Sequence, residues 1–193
     1  MAATLPPIIS LSALPLTDQL KVLDTLFEPS SELHNLLQPI LSNNKDQTFT
    51  SYNSLIDAIY SQLTALSATS DPQQKQLLYG ILGSHPRLGA ASPTAQAGLS
   101  ELSRREQANI NKSTDQEAAA DQAARLSALN KEYEETYPGL RYVTFVNGRG
   151  RDVIMVDMRR RIDRGEFEQE VRDNIEAMCD IAKDRAKKLQ SNL

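Results

Sequence analysis

The sequence predicts an all-α fold, a single compact domain of about eight helices spanning residues 1–193, with residues 1–15 as an extended lead-in. Three observations predict it. Apolar residues recur at helical spacing along nearly the whole chain, while strand-like alternation is almost absent. Prolines, glycines and capping residues cut the chain into pieces of helix length. A chain of 193 residues suits one domain with a substantial core better than two.

Taken in order, Thr17-Asp18 is expected to cap a first helix carrying Leu20, Leu23, Leu26 and Phe27. Pro29-Ser30-Ser31 interrupts it, and a short helix with Leu33, Leu36, Leu37 and Ile40 follows; His34 on it reads as a surface or core-edge residue. Residues 42–50 form a polar connector. Tyr52, Leu55, Ile56, Ile59, Leu63 and Leu66 then make one amphipathic stripe. Asp71-Pro72 supplies a cap and a first-turn proline for a helix through Leu77, Leu78, Ile81 and Leu82, and Gly83 stops it. His85 therefore lies just past a helix end, in a loop stiffened by Pro86.

Residues 89–98 are small and polar, and a helix over 99–110 follows. The capping-box pattern Thr114-Asp115-Gln116-Glu117 opens a long helix to about Tyr137, with Gln122, Leu126, Leu129, Tyr133 and Tyr137 as its stripe. Pro138-Gly139 ends it. Residues 140–146 alone have strand character and no evident strand partner. They read as an extended connector laid on the core, whose backbone groups need other partners, a ligand among them. Gly148-Arg149-Gly150 turns the chain into two last helices, roughly 151–163 and 166–190, the first bearing Arg159-Arg160-Arg161 as a solvated face.

Composition bounds the function. Charge is balanced, 21 basic against 25 acidic residues, so no basic field exists for a nucleic-acid backbone. The single cysteine, Cys179, excludes an intramolecular disulfide and fits a reducing compartment. Two separated histidines and no cysteine cluster argue against a zinc site, and no metal is expected. No apolar run approaches membrane-spanning length. The start of the chain lacks a basic leader and is broken by Pro6, Pro7 and Pro15, so it does not read as a signal peptide. Ser191-Asn192-Leu193 is similar to the peroxisomal Ser-Lys-Leu signal without its lysine, and the expected location is peroxisome or cytoplasm.

Three polar placements carry chemistry. His85 holds an imidazole that titrates near neutral pH. After Pro93, a 100° step per residue puts Leu99, Ser103, Glu106 and Ile110 on one face, where an unpaired carboxylate would be costly. In the last helix, Arg185 falls on the apolar stripe of Val171, Ile175, Met178, Ala182 and Leu189, so it must snorkel, meet a protein acid or bind an anion. Cys179, inside a helix without a nearby histidine, reads as a core residue. These placements fit a small anionic guest in a solvent-poor pocket, or a helical binding module whose polar exceptions are internal hydrogen bonds.

His85-Pro86-x-Leu88, followed by Ser103-x-x-Glu106-Gln107, then Leu129-Asn130-x-x-Tyr133, Tyr137 and Tyr142-Val143-Thr144-Phe145-Val146, resembles 2-oxo-4-hydroxy-4-carboxy-5-ureidoimidazoline (OHCU) decarboxylase of urate degradation. The resemblance implies a cofactor-free carboxy-lyase giving (S)-allantoin from a small anionic ureide. It implies His85 as proton donor, with Glu106 as its catalytic carboxylate partner. Pro86, Ser103, Gln107, Arg185 and the run from Tyr142 through Val143, Thr144 and Phe145 to Val146 would contact substrate. Homodimers occur among similar proteins. The chain departs from the family pattern in two places: the aromatic segment Tyr137-Pro138-Gly139-Leu140-Arg141-Tyr142 is one residue longer, and Ala90-Ala91 stands where a lysine is common. The alternatives are a non-catalytic helical module, or a related lyase or isomerase acting on another cyclic ureide.

Overall fold

A computed structural model describes residues 4–43, 49–89 and 116–190. Among these residues the chain forms one 3-10 helix and seven α-helices, with no strand, as the periodicity predicts. The 3-10 helix covers Ile8–Ala13, so the expected extended lead-in of residues 1–15 is instead partly helical, entered from Pro7, whose carbonyl accepts from the Ser10 N–H. The α-helices are α1 (Leu16–Phe27), α2 (Ser31–Asn43), α3 (Tyr52–Ser67), α4 (Pro72–Leu82), α5 (Gln116–Thr136), α6 (Arg151–Arg164) and α7 (Phe167–Gln190). The expected helix over 99–110 and the Thr114-Asp115 cap lie outside the described residues.

Several helix ends follow from local chemistry. Ser51 and Ser54 cap α3 reciprocally, and the Asp71 side chain accepts from the Gln73 N–H with Pro72 at the first helical position of α4. The start of α1 differs from expectation. Pro15 precedes the helix without a side-chain cap, so Thr17 and Asp18 fall inside its first turn. Proline presets the entry angle there, and Asp18 still complements the positive helix end. Gly165 ends α6 at φ 66, a left-handed turn that leads directly into α7.

α7 is the axis of the core. It packs most extensively on α3 and then on α1, while α5 pairs with α6 and α2 with α4. Its predicted stripe is buried in full: Val171, Ile175, Met178, Ala182, Leu189 and Arg185. The predicted stripe of α3 meets it and that of α4 packs on α2 and α3, with Ile56, Leu63, Leu78, Ile81 and Leu82 fully enclosed. Burying each such side chain contributes about 1.5–3 kcal/mol relative to exposure. No helix among the described residues is long and apolar enough to cross a membrane.

The connector after Tyr137 finds its partners in a buried polar network. Asn174 of α7 accepts from the Val143 N–H (3.3 Å) and donates to the Arg141 carbonyl (3.1 Å). Arg161 donates to the Val143 carbonyl (3.0 Å) and to Asn174 Oδ1 (2.8 Å), and pairs with the fully buried Glu170. Tyr133 closes the network by donating to Glu170. The basic run is therefore not one solvated face. Arg160 is exposed and Arg159 reaches Glu132, but Arg161 turns inward. A helix turns enough between neighbouring residues to put three consecutive arginines on different sides.

Cys179 is buried and its thiol is pushed up to about 12 by burial. The expected result is that a thiol alkylating reagent leaves the native protein unlabelled at neutral pH and labels it once it is unfolded. Rapid labelling of native protein, read by mass spectrometry, would contradict this placement.

Candidate active site

Three buried ionisable groups from distant parts of the chain converge where α1 ends. His85 follows α4 and is 4% exposed, Arg185 in α7 is 1% exposed, and Glu28 just past α1 is 3% exposed. Arg185 Nη2 lies 2.7 Å from Glu28 Oε1. Its Nη1 donates to the Leu26 carbonyl at 3.3 Å and reaches that of Thr25 at 3.5 Å. The α1 sequence supplies no basic residue to its own last turn, so Arg185 satisfies those terminal carbonyls and complements the negative helix end.

The His85 loop is held by its backbone and its neighbours. Arg141 donates to the His85 carbonyl (3.1 Å), Asn130 of α5 donates to the Leu88 carbonyl (3.0 Å), and Arg87 pairs with Glu134. Gly89 lies at φ 75, and a Cβ there would come within 2.4 Å of a Leu126 methyl carbon. Only glycine lets the loop sit this close to α5 in that conformation. The motif Leu129-Asn130-x-x-Tyr133 thus has a structural content: Asn130 fastens the histidine loop and Tyr133 anchors α5 to Glu170.

One imidazole nitrogen of His85, the buried Nε2, has no hydrogen-bond partner among the described residues. Burial first, and the Arg185 charge second, push its pKa down to about 4, while Glu28 acts in the opposite direction. The ring is consequently neutral near pH 7 in this state of the site. A buried polar atom without a partner is uncommon and is the kind of group that a ligand would satisfy.

The other predicted site residues are placed differently. Ser103, Glu106 and Gln107 lie outside the described residues, as do residues 90–98 of the small polar stretch. Pro86 is half-buried next to His85. Tyr142 is a core residue: its hydroxyl donates to Asp157 (2.6 Å), and Arg161 stacks 4.7 Å above its ring. Both backbone groups of Val143 are engaged by Asn174 and Arg161, and Arg149 donates to the Phe145 and Val146 carbonyls. Thr144 and Phe145 line grooves beside Asp180. The 100° step sets Asp180 well round α7 from Arg185, so those grooves open away from the His85 cluster. His34, expected at the surface or core edge, is part-buried and lies 2.6 Å from Asp24.

The cluster of a histidine, an arginine and a loop secured by Asn130 follows the order in which the sequence motifs occur. The OHCU decarboxylase family model matches residues 12–187. The chain belongs to the OHCU decarboxylase family. No curated protein and no solved structure matches it. OHCU decarboxylases are carboxy-lyases, and the family places this chain at the decarboxylation step of urate degradation. The matched region contains every residue of the His85–Arg185–Glu28 cluster and of the Asn174 network.

Sequence reasoning passed over Glu28, Arg141, Glu170 and Asn174. Two of them carried a signal. Glu170 and Asn174 stand at four-residue steps before Met178, so both fall on the buried face of α7. Glu28 directly follows the buried pair Leu26-Phe27 and precedes a proline, but nothing local ties it to an arginine 157 positions later.

Proposed function

We propose that this protein converts 2-oxo-4-hydroxy-4-carboxy-5-ureidoimidazoline to (S)-allantoin and carbon dioxide, with His85 as the proton donor. The observation that carries the reading is the buried Nε2 of His85, unpartnered among the described residues and within the field of the Arg185 guanidinium. Family membership sets aside the non-catalytic helical module, although an internal Arg185–Glu28 bridge is a feature that such a module would share.

The chemistry divides between substrate and protein. Loss of the carboxylate breaks one carbon–carbon bond and leaves an electron pair on the ring carbon. Neighbouring imine and carbonyl groups of the substrate delocalise that pair, so the ring acts as its own electron sink. The protein's part is to hold the anion and deliver one proton to one face. Arg185 attracts the substrate anion. That anion, placed against the imidazole, favours its protonated form and so reverses the effect of burial. His85 Nε2–H then protonates the adjacent ureido-bearing carbon. The hydroxyl proton passes to the ring nitrogen that took up the pair as C–OH becomes a carbonyl, and the neutral imidazole regains its proton from solvent. Glu106, Ser103 and Gln107 complete the site on this reading, Glu106 by orienting the histidine or accepting substrate N–H groups. Chirality follows from delivery to a single face.

The test generates the substrate in situ from urate and follows the rate and optical rotation of the allantoin formed. The expected result is rapid formation of the S form alone. A racemic product, or a rate equal to that without protein, would overturn the reading.

A further inference from the structure

Glu28 combines two features that a surface-facing helix terminus does not need. Its carboxylate is almost wholly buried, and its backbone stands at φ 75, ψ 152. That region is populated nearly exclusively by glycine, and a side chain there costs on the order of 1–3 kcal/mol. Strain of this kind persists only where the surrounding structure imposes it. Here it ends α1 abruptly and carries the Glu28 carboxylate back to Arg185.

The result is a fixed guanidinium. The Thr25 and Leu26 carbonyls take Nη1, and the Glu28 carboxylate takes Nη2. These acceptors among the described residues come from one turn of chain, residues 25–28. A planar guanidinium bound at both terminal nitrogens cannot rotate without breaking a contact. Its charge also reaches His85, the imidazole with the unpartnered nitrogen. A bridge serving stability alone would gain nothing from placing its charges where they act on that imidazole, and buried ion pairs contribute little net stability over apolar packing.

We propose that Glu28 is a positioning residue of the decarboxylase site, clamping the Arg185 guanidinium in the orientation in which it meets the anionic substrate beside His85. This role rests on the reading of His85 and Arg185 given above. Glu28 contacts the arginine, and the positioning role assigned to it passes through Arg185. The cost of misplacement is large because a group displaced by about 1 Å can lose on the order of a hundredfold in rate.

The experiment compares wild type, Glu28→Gln and Glu28→Asp as full-length proteins, with substrate formed in situ from urate. kcat and KM are measured beside melting curves. Glu28→Asp keeps the charge but withdraws it by one methylene, which makes it the variant expected to fold if Glu28→Gln does not. The expected result is a fall in kcat/KM of roughly 10–100-fold in each folded variant, carried mainly by KM. The product should stay the S form, because His85 still delivers the proton. Unchanged kinetic constants in a folded Glu28→Asp protein, with only its melting point lowered, would overturn the proposal and leave a structural bridge. An active wild type with an inactive His85→Asn confines that failure to Glu28. An inactive wild type overturns the functional reading and this role together.

Discussion

Replacing His85 with asparagine is expected to lower turnover by roughly 10²–10⁴-fold, the usual contribution of a positioned proton donor, and to leave the protein folded. Folding should survive because the loop is held by other atoms. Arg141 binds the His85 carbonyl, Asn130 binds the Leu88 carbonyl, and Nε2 binds none of the described residues. Asparagine keeps a polar side chain but cannot carry a proton between solvent and carbon. Full turnover in the folded variant would remove His85 from the mechanism.

The same substitution has a second consequence that does not depend on catalysis. The His85 pKa is lowered from 6.5 to about 4 by burial and by Arg185. The unfolded chain therefore binds a proton on His85 at a higher pH than the folded protein does. The stability associated with neutral His85 is complete above about pH 6.5 and drains away as pH falls from there through about 4. Denaturant melts of wild type should show this loss, and His85→Asn should show less of it across the same window. Identical acid profiles would mean that the imidazole is not buried as described.

Arg185→Met is expected to destabilise the protein by about 3–5 kcal/mol, since it leaves the Glu28 carboxylate buried without its cation. For a chain of this size that corresponds to a melting point lower by roughly 6–20 °C. The loss should be largely recovered in the double variant Glu28→Gln with Arg185→Met, which removes both charges. This pairing separates two accounts of Arg185. If the arginine binds substrate, the double variant is folded and nearly inactive. If the arginine only braces α1 against α7, the double variant is folded and active, and the anion-binding role falls.

The all-α architecture was readable because its signal is local and repeated. Leu55, Ile56, Ile59, Leu63 and Leu66 recur at helical spacing, and Asp71, Pro72 and Gly83 mark the ends of α4 through bonds made within a few residues. The start of α1 was misplaced because two cap signals stood close together, and proline at position 15 overrode Thr17-Asp18. Arg161 was misread because a run of like charges says nothing about which member points inward. That depended on Glu170 and Asn174, which belong to the following helix.

The site was half readable for the same reason. His85 stood out by its place after a helix stop, and Arg185 by breaking an apolar stripe with a charge that it cannot shed. What a buried arginine pairs with is a question of through-space electrostatics, and the sequence separates Glu28 from Arg185 by nearly the whole chain. By itself the sequence determined the helices, the core stripes, the family and the two residues whose chemistry is out of place in them. Only the tertiary structure decided that α1 ends in a strained turn aimed at α7, that Glu28 meets Arg185 there, and that both charges act on a buried His85. Helices form from contacts three and four residues apart, whereas a buried charge cluster forms only when packing brings distant helix ends together.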